Sequence, residues 1–338
     1  MNNGFIPVYY PNRTSQHFRD SKYYPVGTLP HTPTYYCNEG YGLVTYKSDR
    51  FGLRNNDKKW DAIQNKGATF FIGDSFTHGA CVNNEFVFTE LFSSALDHNT
   101  LNLGTGGNGP YEYLALLRNV VKPIISTIKG KEFLVVLVFY DNDNVEFDKT
   151  INRHLSTSQP IAGVSLNGST NVSKEYLSIL GETIEKNYST NSKDILEKLK
   201  SNHKKMKEKK MKGESYGSFV HNVLTLHPLK VRLIQLLNSN KLDPSIRAIK
   251  ELGATCNSST SCTPYVVYVP NSNYWRPNVA SNDYKSLLQK SSRDFSINFL
   301  DSSSIINPQD KNNYGPMGPH LSKLGYKKLA DFVASKVK

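Results

Sequence analysis

Residues 70–82 read FFIGDSFTHGACV, a stretch that predicts a buried strand turning abruptly into a helix. The apolar run before Gly73 is rich in β-forming residues and is bounded by glycines, which is typical of a buried strand. Apolar residues downstream have helix-compatible spacing up to about Leu96. Ser75 falls at the junction. It could cap the helix, or it could be a nucleophile placed where backbone amides converge.

The same alternation of strand and helix recurs along the chain. Strand-like apolar runs cover residues 68–73, 99–104, 132–140, 264–270 and 297–302. Helix-compatible segments cover residues 84–97, 110–127, a long stretch within 174–250, 281–293 and 322–337. Near-continuous apolar strands separated by helices are typical of a parallel sheet that is covered on both faces. The sequence therefore predicts a three-layer α/β/α sandwich with a five-stranded parallel sheet.

Two regions depart from this alternation. Residues 1–66 are rich in Tyr, Pro, Asn and Thr without sustained periodicity, and we expect an irregular N-terminal extension wrapped on a core formed by 67–338. Residues from about 150 to 255 are too many for a simple crossover and predict a helical, lysine-rich insertion. It would follow the carboxyl end of a central strand, the edge at which open α/β sheets bind ligands, so a lid or cap is expected there.

Composition narrows the function classes. The chain has 338 residues, of which 38% are hydrophobic and 21% charged. It contains no run of about 20 apolar residues that would span a membrane. The first residues, MNNGFIPVYYPNRT, lack the features of a signal peptide, and we expect a soluble chain. A membrane anchor outside this chain would leave no trace in it.

The net charge of +12 raises the alternative of nucleic-acid binding. Residues 198–212 hold eight lysines and one glutamate, but neither arginine nor an aromatic residue. Proteins recognise nucleic-acid bases chiefly with arginine and stack them on aromatic side chains. The run is therefore interpreted as a solvated face, and a nucleic-acid partner is not expected.

Four cysteines are too few for a disulfide framework. Cys256 and Cys262 bracket a short polar loop, and a loop-closing disulfide between them would place the protein in an oxidising compartment such as the periplasm or cell envelope. Their spacing, without a nearby histidine, disfavours a metal site. Cys37 and Cys81 are expected to be lone thiols.

Several polar residues should share one rim of the sheet, because the carboxyl ends of parallel strands lie together. They are Gly73 to Ser75, Gly104 to Gly109, Asp141 to Asn144, Asn271 and Ser272, and Asp301. His320 lies in a loop just before the last predicted helix. A hydroxyl, a base and several hydrogen-bond donors are the groups that acyl transfer requires.

Four short blocks occur in an order that resembles the SGNH (GDSL-like) hydrolase superfamily. They are GDSF, NLGTGGNGP, FYDNDN and HLSKLGY, and the resemblance covers roughly residues 67–145 and 264–338. A looser match, YKSDRFGLRN at 46–55, resembles a segment of bacterial members that act on envelope polysaccharides. The resemblance implies a flavodoxin-like order of the five strands.

The resemblance also implies roles for individual residues. Ser75 would be the nucleophile and His320 the general base, then the acid for the leaving group. The amides of Ser75 and Gly107 and the side chain of Asn142 would form the oxyanion hole. No cofactor is expected. No metal is expected either, because the DNDN sequence around Asn142 lacks the glycine and distal glutamate of a calcium loop.

One position departs from the family pattern. The family usually carries an aspartate three residues before the histidine, where this sequence has Met317. Either a backbone carbonyl or another acid orients His320, or the protein is slow or catalytically silent. Asp301, just after the last strand, is the first candidate for the substitute acid, and Asp310 is the second.

These features predict an acyl-ester hydrolase that works through a seryl intermediate. The expected substrate is an O-acyl ester of a small molecule, a lipid or a polysaccharide. Two alternatives stay open. One is O-acetyl transfer to an envelope polysaccharide by the same residues, and the other is a non-catalytic binding module that keeps the fold.

Overall fold

The computed structural model describes residues 6–7, 27–28, 30–144, 243–259, 261–273, 275 and 281–337. The strands are β1 (Ile6–Pro7), β2 (Pro33–Tyr35), β3 (Thr45–Lys47), β4 (Ala68–Ile72), β5 (Thr100–Asn102), β6 (Phe133–Tyr140), β7 (Cys262–Val269) and β8 (Asn298–Asp301). The lysine run and most of the predicted insertion lie outside the described residues, so the lid or cap stays a prediction.

The five predicted strands form one parallel sheet in the order β5-β4-β6-β7-β8. This confirms the predicted fold, because the first strand lies beside the second and third, as in flavodoxin-like folds. All four strand pairs are parallel. The carboxyl ends of β4, β5 and β6 therefore share one rim.

Both faces of the sheet are buried in separate apolar clusters. In β4, Phe70 and Ile72 join one cluster and Phe71 joins the other. In β6, Val135 and Val136 divide in the same way. Successive side chains of a strand point to opposite faces, so an uninterrupted apolar strand has both faces covered.

Eight α-helices are described, and they cover these two faces. Their bounds are α1 (Asp57–Lys66), α2 (Ser75–His78), α3 (Phe88–Leu96), α4 (Pro110–Leu116), α5 (Lys122–Thr127), α6 (Asp243–Asn257), α7 (Ser281–Asp294) and α8 (Lys323–Lys336). Residues of α1, α4, α5, α6 and α7 pack in the first cluster. Residues of α2, α3 and α8 pack in the second, which lies on the side of Ser75.

The predicted helix at 110–127 is interrupted. Residues Leu117–Val121 form a π-helical turn between α4 and α5. Pro123, near the start of α5, has no backbone N–H and its ring crowds the preceding turn, so a regular α-helix cannot pass through this point without adjustment.

The N-terminal extension is more regular than its sequence predicts. Strands β1, β2 and β3 form a small sheet of their own, and α1 occupies the end of the segment. Asn56 caps α1 by accepting from Lys58 N. Only Trp60 and Ile63 of this helix are buried, and two apolar residues three apart in a polar segment give a weak signal of periodicity.

A buried carboxylate, that of Asp49, organises the extension. Oδ1 accepts from the backbone N–H groups of Phe51 (2.9 Å) and Leu53 (2.8 Å). Oδ2 accepts from Asn55 Nδ2 (2.9 Å) and Trp60 Nε1 (2.8 Å). Burial raises the pKa of Asp49 to about 6, although these four donors act to lower it. Asp49 therefore ties the 46–55 motif to α1.

Two further residues of the same motif attach the extension to the sandwich. Asn55 donates to the backbone carbonyl of Asn102 at the end of β5 (2.9 Å) and accepts from its N–H (2.7 Å). The buried guanidinium of Arg54 donates to the carbonyls of Gly79 (2.7 Å) and Val82 (2.8 Å). Arg54 thus holds the chain that follows Ser75.

The cysteines are paired differently from the prediction. Cys256 and Cys262 form the predicted disulfide. Cys37 and Cys81 also form a disulfide, so the expectation that they are lone thiols is wrong. They are 44 residues apart, and only the packing of the extension beside the segment after Ser75 brings their Cα atoms to 4.8 Å. None of the described helices is long and apolar enough to cross a membrane.

We predict that Asp49→Asn lowers the free energy of unfolding by at least about 3 kcal/mol, because an amide nitrogen would face two buried N–H donors that lose their acceptor. Denaturant unfolding measures the change. Asp61→Asn is the matched control, since Asp61 is an exposed partner of Arg50 and should cost about 1 kcal/mol or less. Equal losses in the two variants would contradict the role of Asp49.

Candidate active site

Ser75 is the first residue of α2, directly after the turn that ends β4. The helix cap is Asp74, whose carboxylate accepts from Phe76 N at 2.8 Å. The side chain of Ser75 is therefore not needed as a cap. Gly73 permits this sharp turn, because a Cβ at that position would overlap the side chain of Thr77. Of the two roles considered for Ser75, the helix cap is taken by Asp74. The role of nucleophile stays a prediction for Ser75.

His320 meets Ser75 across 245 residues of sequence, with 2.9 Å between Nε2 and the serine Oγ. The histidine lies in the loop before α8, and its backbone carbonyl accepts from Gly315 N (2.7 Å). The Phe76 ring lies beside the imidazole, with the ring centroids 4.8 Å apart. The structure thus brings together the two residues that the sequence predicted as nucleophile and base.

The carboxylate bonded to His320 comes from the N-terminal extension. Glu39 Oε1 lies 2.7 Å from His320 Nδ1, and Oε2 accepts from the backbone N–H of His320 (3.0 Å). The backbone carbonyl of Glu39 accepts from Met317 N (3.0 Å). The side chain of Glu39 is only 9% exposed, so water competes little for its oxygens.

The prediction that Asp301 or Asp310 is the substitute acid is wrong, because neither aspartate contacts His320 and Glu39 does. Asp301 accepts from Ser303 N (2.8 Å) and pairs with Lys285 (3.1 Å). Burial would raise the pKa of Asp301, but these two contacts keep it below the ordinary value. Asp310 caps a short turn by accepting from Asn312 N at 3.0 Å. Both carboxylates stabilise local turns. The sequence alone does not distinguish an aspartate that stabilises a turn from one that belongs to the site.

The loop that carries His320 is shaped around Glu39. A Cβ at Gly318 would overlap the Glu39 side chain, and one at Gly315 would lie 2.7 Å from Glu39 Oε2. The family carboxylate would come from position 317 of this loop. Here the loop contributes Met317 and two glycines, and the space they leave is filled by an acid from a different part of the chain.

The arrangement fixes the tautomer of the imidazole. With its proton on Nδ1, His320 donates to Glu39 and leaves Nε2 as the acceptor for the Ser75 hydroxyl. A carboxylate at this place also favours the imidazolium that forms when Nε2 takes a proton. The geometry can therefore move a proton from the serine hydroxyl to a histidine that is ready to receive it.

One group of metal-ligand type is present among the described residues, and it coincides with this site. Ligand atoms of Glu39, Cys81 and His320 lie within 4.8 Å of one another. The Cys81 sulfur is bonded to Cys37, which removes the thiolate a metal would require. The described geometry matches a hydrogen-bonded relay better than a metal site.

Gly107 and Asn142 lie on the same rim of the sheet as Ser75. Gly107 follows β5 with φ of +77°, a left-handed conformation that favours glycine, and the space a Cβ would enter is empty. Asn142 lies in the 3₁₀ turn Asp141–Asn144 that follows β6. Their role as oxyanion donors stays a prediction.

The two aspartates beside Asn142 hold its turn in place. Asp141 accepts from the hydroxyl of Tyr268 (2.6 Å) and from Asn271 N (2.8 Å). Asp143 accepts from the hydroxyl of Tyr113 (3.0 Å) and from Tyr140 N (2.9 Å). Burial raises the pKa of Asp141 to about 6, although the hydrogen bonds from Tyr268 and Asn271 act to lower it. The acidic run thus anchors the asparagine.

His78, three residues after Ser75, does not take part in the relay. Its Nε2 lies 3.1 Å from the hydroxyl of Tyr46 in the extension. Burial, with a smaller effect from the nearby Arg54 cation, lowers the pKa of His78 well below its ordinary value. A buried neutral imidazole packed against tyrosines is a structural element of the interface with the extension.

The strand order and the places of the candidate site residues follow the pattern that the four sequence blocks predict. A five-stranded parallel sheet of flavodoxin order carries the serine after its first strand, the glycine loop after the second and the asparagine after the third. The histidine that contacts the serine lies just before the last helix. The chain has a flavodoxin-like α/β/α fold that carries these residues on one rim. The order of the four sequence blocks is thus matched by their places in the structure.

Comparison with known proteins gives similarity in structure but not in sequence. No protein-family model matches the chain, and no curated protein matches it significantly. A protein from Desulfitobacterium hafniense DCB-2, assigned to the G-D-S-L lipolytic family, is 12% identical over 79% of this chain and 98% of its own, with a TM-score of 0.36.

Two other solved structures are similarly distant. A protein from Slackia heliotrinireducens assigned to the SGNH hydrolases is 10% identical over 81% of this chain and 100% of its own, with a TM-score of 0.41. A family two carbohydrate esterase from Clostridium thermocellum, in complex with cellohexaose, is 10% identical over 80% of this chain and 63% of its own, with a TM-score of 0.36.

Sequence reasoning missed Glu39. The surrounding CNEGYG has no strand or helix periodicity, and its glycines indicate only a turn. The one usable signal is the cysteine two residues before Glu39. Pairing Cys37 with Cys81, six residues after Ser75, would have placed this acid near the nucleophile.

We predict that Gly318→Ala displaces the Glu39 carboxylate, because the new methyl group would occupy its place. The hydrogen bond to His320 Nδ1 should be lost, and with it the low-field proton NMR resonance of that N–H. Gly253→Ala is the matched control, since a Cβ there would make only ordinary contacts of 3.5 Å or more. A resonance that survives Gly318→Ala would show that the loop adapts without moving the acid.

Proposed function

We propose that this protein is a serine-dependent acyl-ester hydrolase with Ser75, His320 and Glu39 as its triad. The observation that carries the proposal is the continuous pair of contacts from Ser75 Oγ to His320 Nε2 and from Nδ1 to Glu39 Oε1. A hydroxyl, an imidazole and a carboxylate in this order form the constellation that activates a serine.

In the first half of the reaction, Ser75 Oγ attacks the carbonyl carbon of the ester while its proton passes to His320 Nε2. Glu39 stabilises the resulting imidazolium. The tetrahedral intermediate then collapses, the bond to the leaving alcohol breaks, and that alcohol takes the proton from Nε2. The acyl group remains as an ester on Ser75.

In the second half, His320 Nε2 takes a proton from water, and the hydroxide oxygen attacks the acyl-serine. Collapse releases the carboxylic acid and returns the proton to Ser75. A sugar hydroxyl in place of water would give O-acyl transfer by the same steps. Product analysis with and without a saccharide acceptor distinguishes hydrolysis from transfer.

The oxyanion formed in each half needs donors that are in place before the reaction. The backbone amides of Ser75 and Gly107 and the side-chain amide of Asn142 are the proposed donors. The support is the open, left-handed conformation of Gly107 and the anchoring of the turn that carries Asn142 between two buried aspartates. A rigid turn presents its donor without reorganisation, which makes electrostatic stabilisation efficient.

An O-acyl ester of a carbohydrate or a lipid is the proposed substrate class. The 46–55 motif, whose sequence resembles that of polysaccharide-acting members, has its buried polar groups engaged within the protein. Asp49 and Asn55 join the extension to α1 and β5, and Arg54 holds the segment after α2. The resemblance of this motif to the polysaccharide-acting members therefore supports a similar fold of the extension more directly than a similar substrate.

The alternative of a non-catalytic module loses its main support. It rested on the methionine at position 317, which left His320 without a carboxylate. Glu39 supplies that carboxylate at 2.7 Å from a different segment. A binding module would have no need to keep all three groups in contact.

We predict that a fluorophosphonate ester adds once to the protein, at Ser75, because the activated hydroxyl attacks phosphorus as it would an acyl carbon. Intact mass followed by peptide mapping identifies the modified residue. Ser75→Ala should abolish the adduct, whereas Ser272→Ala, at another buried serine of the same rim, should keep it. An adduct that persists in Ser75→Ala would reject the proposed nucleophile.

We further predict that Glu39→Gln lowers kcat by up to about 10⁴-fold with a small change in KM, since an amide cannot stabilise the imidazolium. Steady-state hydrolysis of an activated acetyl ester measures both parameters. Asp301→Asn and Asp310→Asn are matched controls that should retain wild-type turnover. A large loss in either control, with Glu39→Gln unaffected, would place the acid elsewhere.

A further inference from the structure

The Cys37–Cys81 disulfide lies at the centre of the candidate active site. Cys37 is two residues before Glu39, and Cys81 is six residues after Ser75. The Cys81 sulfur lies 4.0 Å from His320 Nδ1, the nitrogen that meets Glu39. One covalent bond therefore joins the segment that carries the acid to the segment that carries the nucleophile, directly beside the base.

The loop that carries Glu39 is joined to the sandwich mainly on the side of His320. Between β2 and β3 the loop is closed by Tyr36 N to Val44 O (3.0 Å) and Val44 N to Cys37 O (3.1 Å). Hydrogen bonds to Met317 and His320 hold Glu39 against the His320 loop. The disulfide adds a covalent link from this loop to Cys81, whose sulfur is itself beside the imidazole.

A carboxylate presented by a loop needs such a restraint. Functional groups of a site must be held within about 0.5 Å of the productive geometry, and sites on loops are less exact than those on helices or strands. Glu39 and His320 are 281 residues apart in sequence, so no local structure fixes their separation. A covalent bond two residues from Glu39 limits how far the carboxylate can move from the imidazole.

We propose that the Cys37–Cys81 disulfide positions Glu39 against His320 and makes the activity of this site depend on the oxidation state of that bond. The inference rests on the proposed function. It adds two positioning residues to the triad and makes a dithiol reductant a regulator of the same site.

Reduction would proceed by thiol–disulfide exchange. A thiolate of the dithiol attacks the sulfur of Cys37, a residue that is half-buried, and the Cys81 thiolate leaves and takes up a proton. The second thiol of the reductant then displaces Cys37, so the reductant closes into a cyclic disulfide and the protein keeps two thiols. The loop that carries Glu39 is then tied to the sandwich by hydrogen bonds and packing alone.

The chain offers an internal control, because its other disulfide is remote from the site. Cys256 lies near the end of α6, and Cys262 is the first residue of β7. Ser75 follows the carboxyl end of β4, whereas Cys262 lies at the amino end of β7. Because the strands are parallel, the two residues are at opposite ends of the sheet's strands. The two disulfides thus differ in their position relative to the triad.

The test compares Cys37→Ser/Cys81→Ser with Cys256→Ser/Cys262→Ser in the full chain. The first variant should lose about 10²-fold in kcat with little change in KM, as expected for a catalytic group displaced by about 1 Å. The second should keep wild-type kcat. In a Glu39→Gln background, removing Cys37 and Cys81 should cost nothing further, because the acid they position is absent. Wild-type kcat in the first variant, or an additive loss in the Glu39→Gln background, would overturn the proposal.

A second measurement covers the case in which the first variant does not fold. The Cys256→Ser/Cys262→Ser protein retains only Cys37 and Cys81 of the four cysteines. Its kcat should fall when a dithiol is added and recover on reoxidation, with mass spectrometry reporting the two thiols. Turnover that is unchanged after complete reduction would overturn the proposal.

The low-field resonance of His320 Nδ1–H separates failure of this inference from failure of the proposed function. If wild type shows neither labelling of Ser75 nor turnover, the proposed function fails. The positioning inference is then decided by the resonance alone. It should disappear in Cys37→Ser/Cys81→Ser, and its persistence in the disulfide variant would overturn the inference.

Discussion

The hydrogen bond between Glu39 and His320 imposes a constraint that the rest of the structure satisfies. An acid near the start of the chain and a base near its end must stay within 2.7 Å of each other, partly shielded from water. A hydrogen bond to a carboxylate is shorter and stronger than one between two neutral groups. The contacts between the extension and the sandwich can be understood as the means of holding Glu39 and His320 together.

Some of those contacts lie within the extension, and others join the extension to the sandwich. Asp49, fully engaged by four donors, gives the extension an interior of its own. Arg54 and Asn55 connect that interior to the segment after Ser75 and to β5. Buried polar groups that are all paired specify one arrangement and disfavour its alternatives. The extension therefore contributes to the candidate active site as directly as the sheet does.

The sequence predicted the sandwich because its strands are uninterrupted apolar runs. It predicted the position of Ser75 because that residue follows such a strand, and that of His320 because it precedes the last helix. Glu39 could not be predicted in the same way. It lies in a turn with no periodicity, and its approach to His320 depends on the packing of two segments 281 residues apart. Asp301 and Asp310 were reasonable by position, but both serve local turns. Rules of local spacing contain no information on such long-range contacts.

The separation of the triad along the chain has a consequence for biosynthesis. A chain emerges from the ribosome amino terminus first, and contacts between distant residues form late because the intervening loop must be closed first. Glu39 and Ser75 are made early, whereas His320 follows almost 250 residues after the serine. Until His320 has been made, the hydroxyl of Ser75 lacks the base that would activate it in the proposed mechanism. In the proposed mechanism, a chain that stops before His320 therefore carries no activated serine.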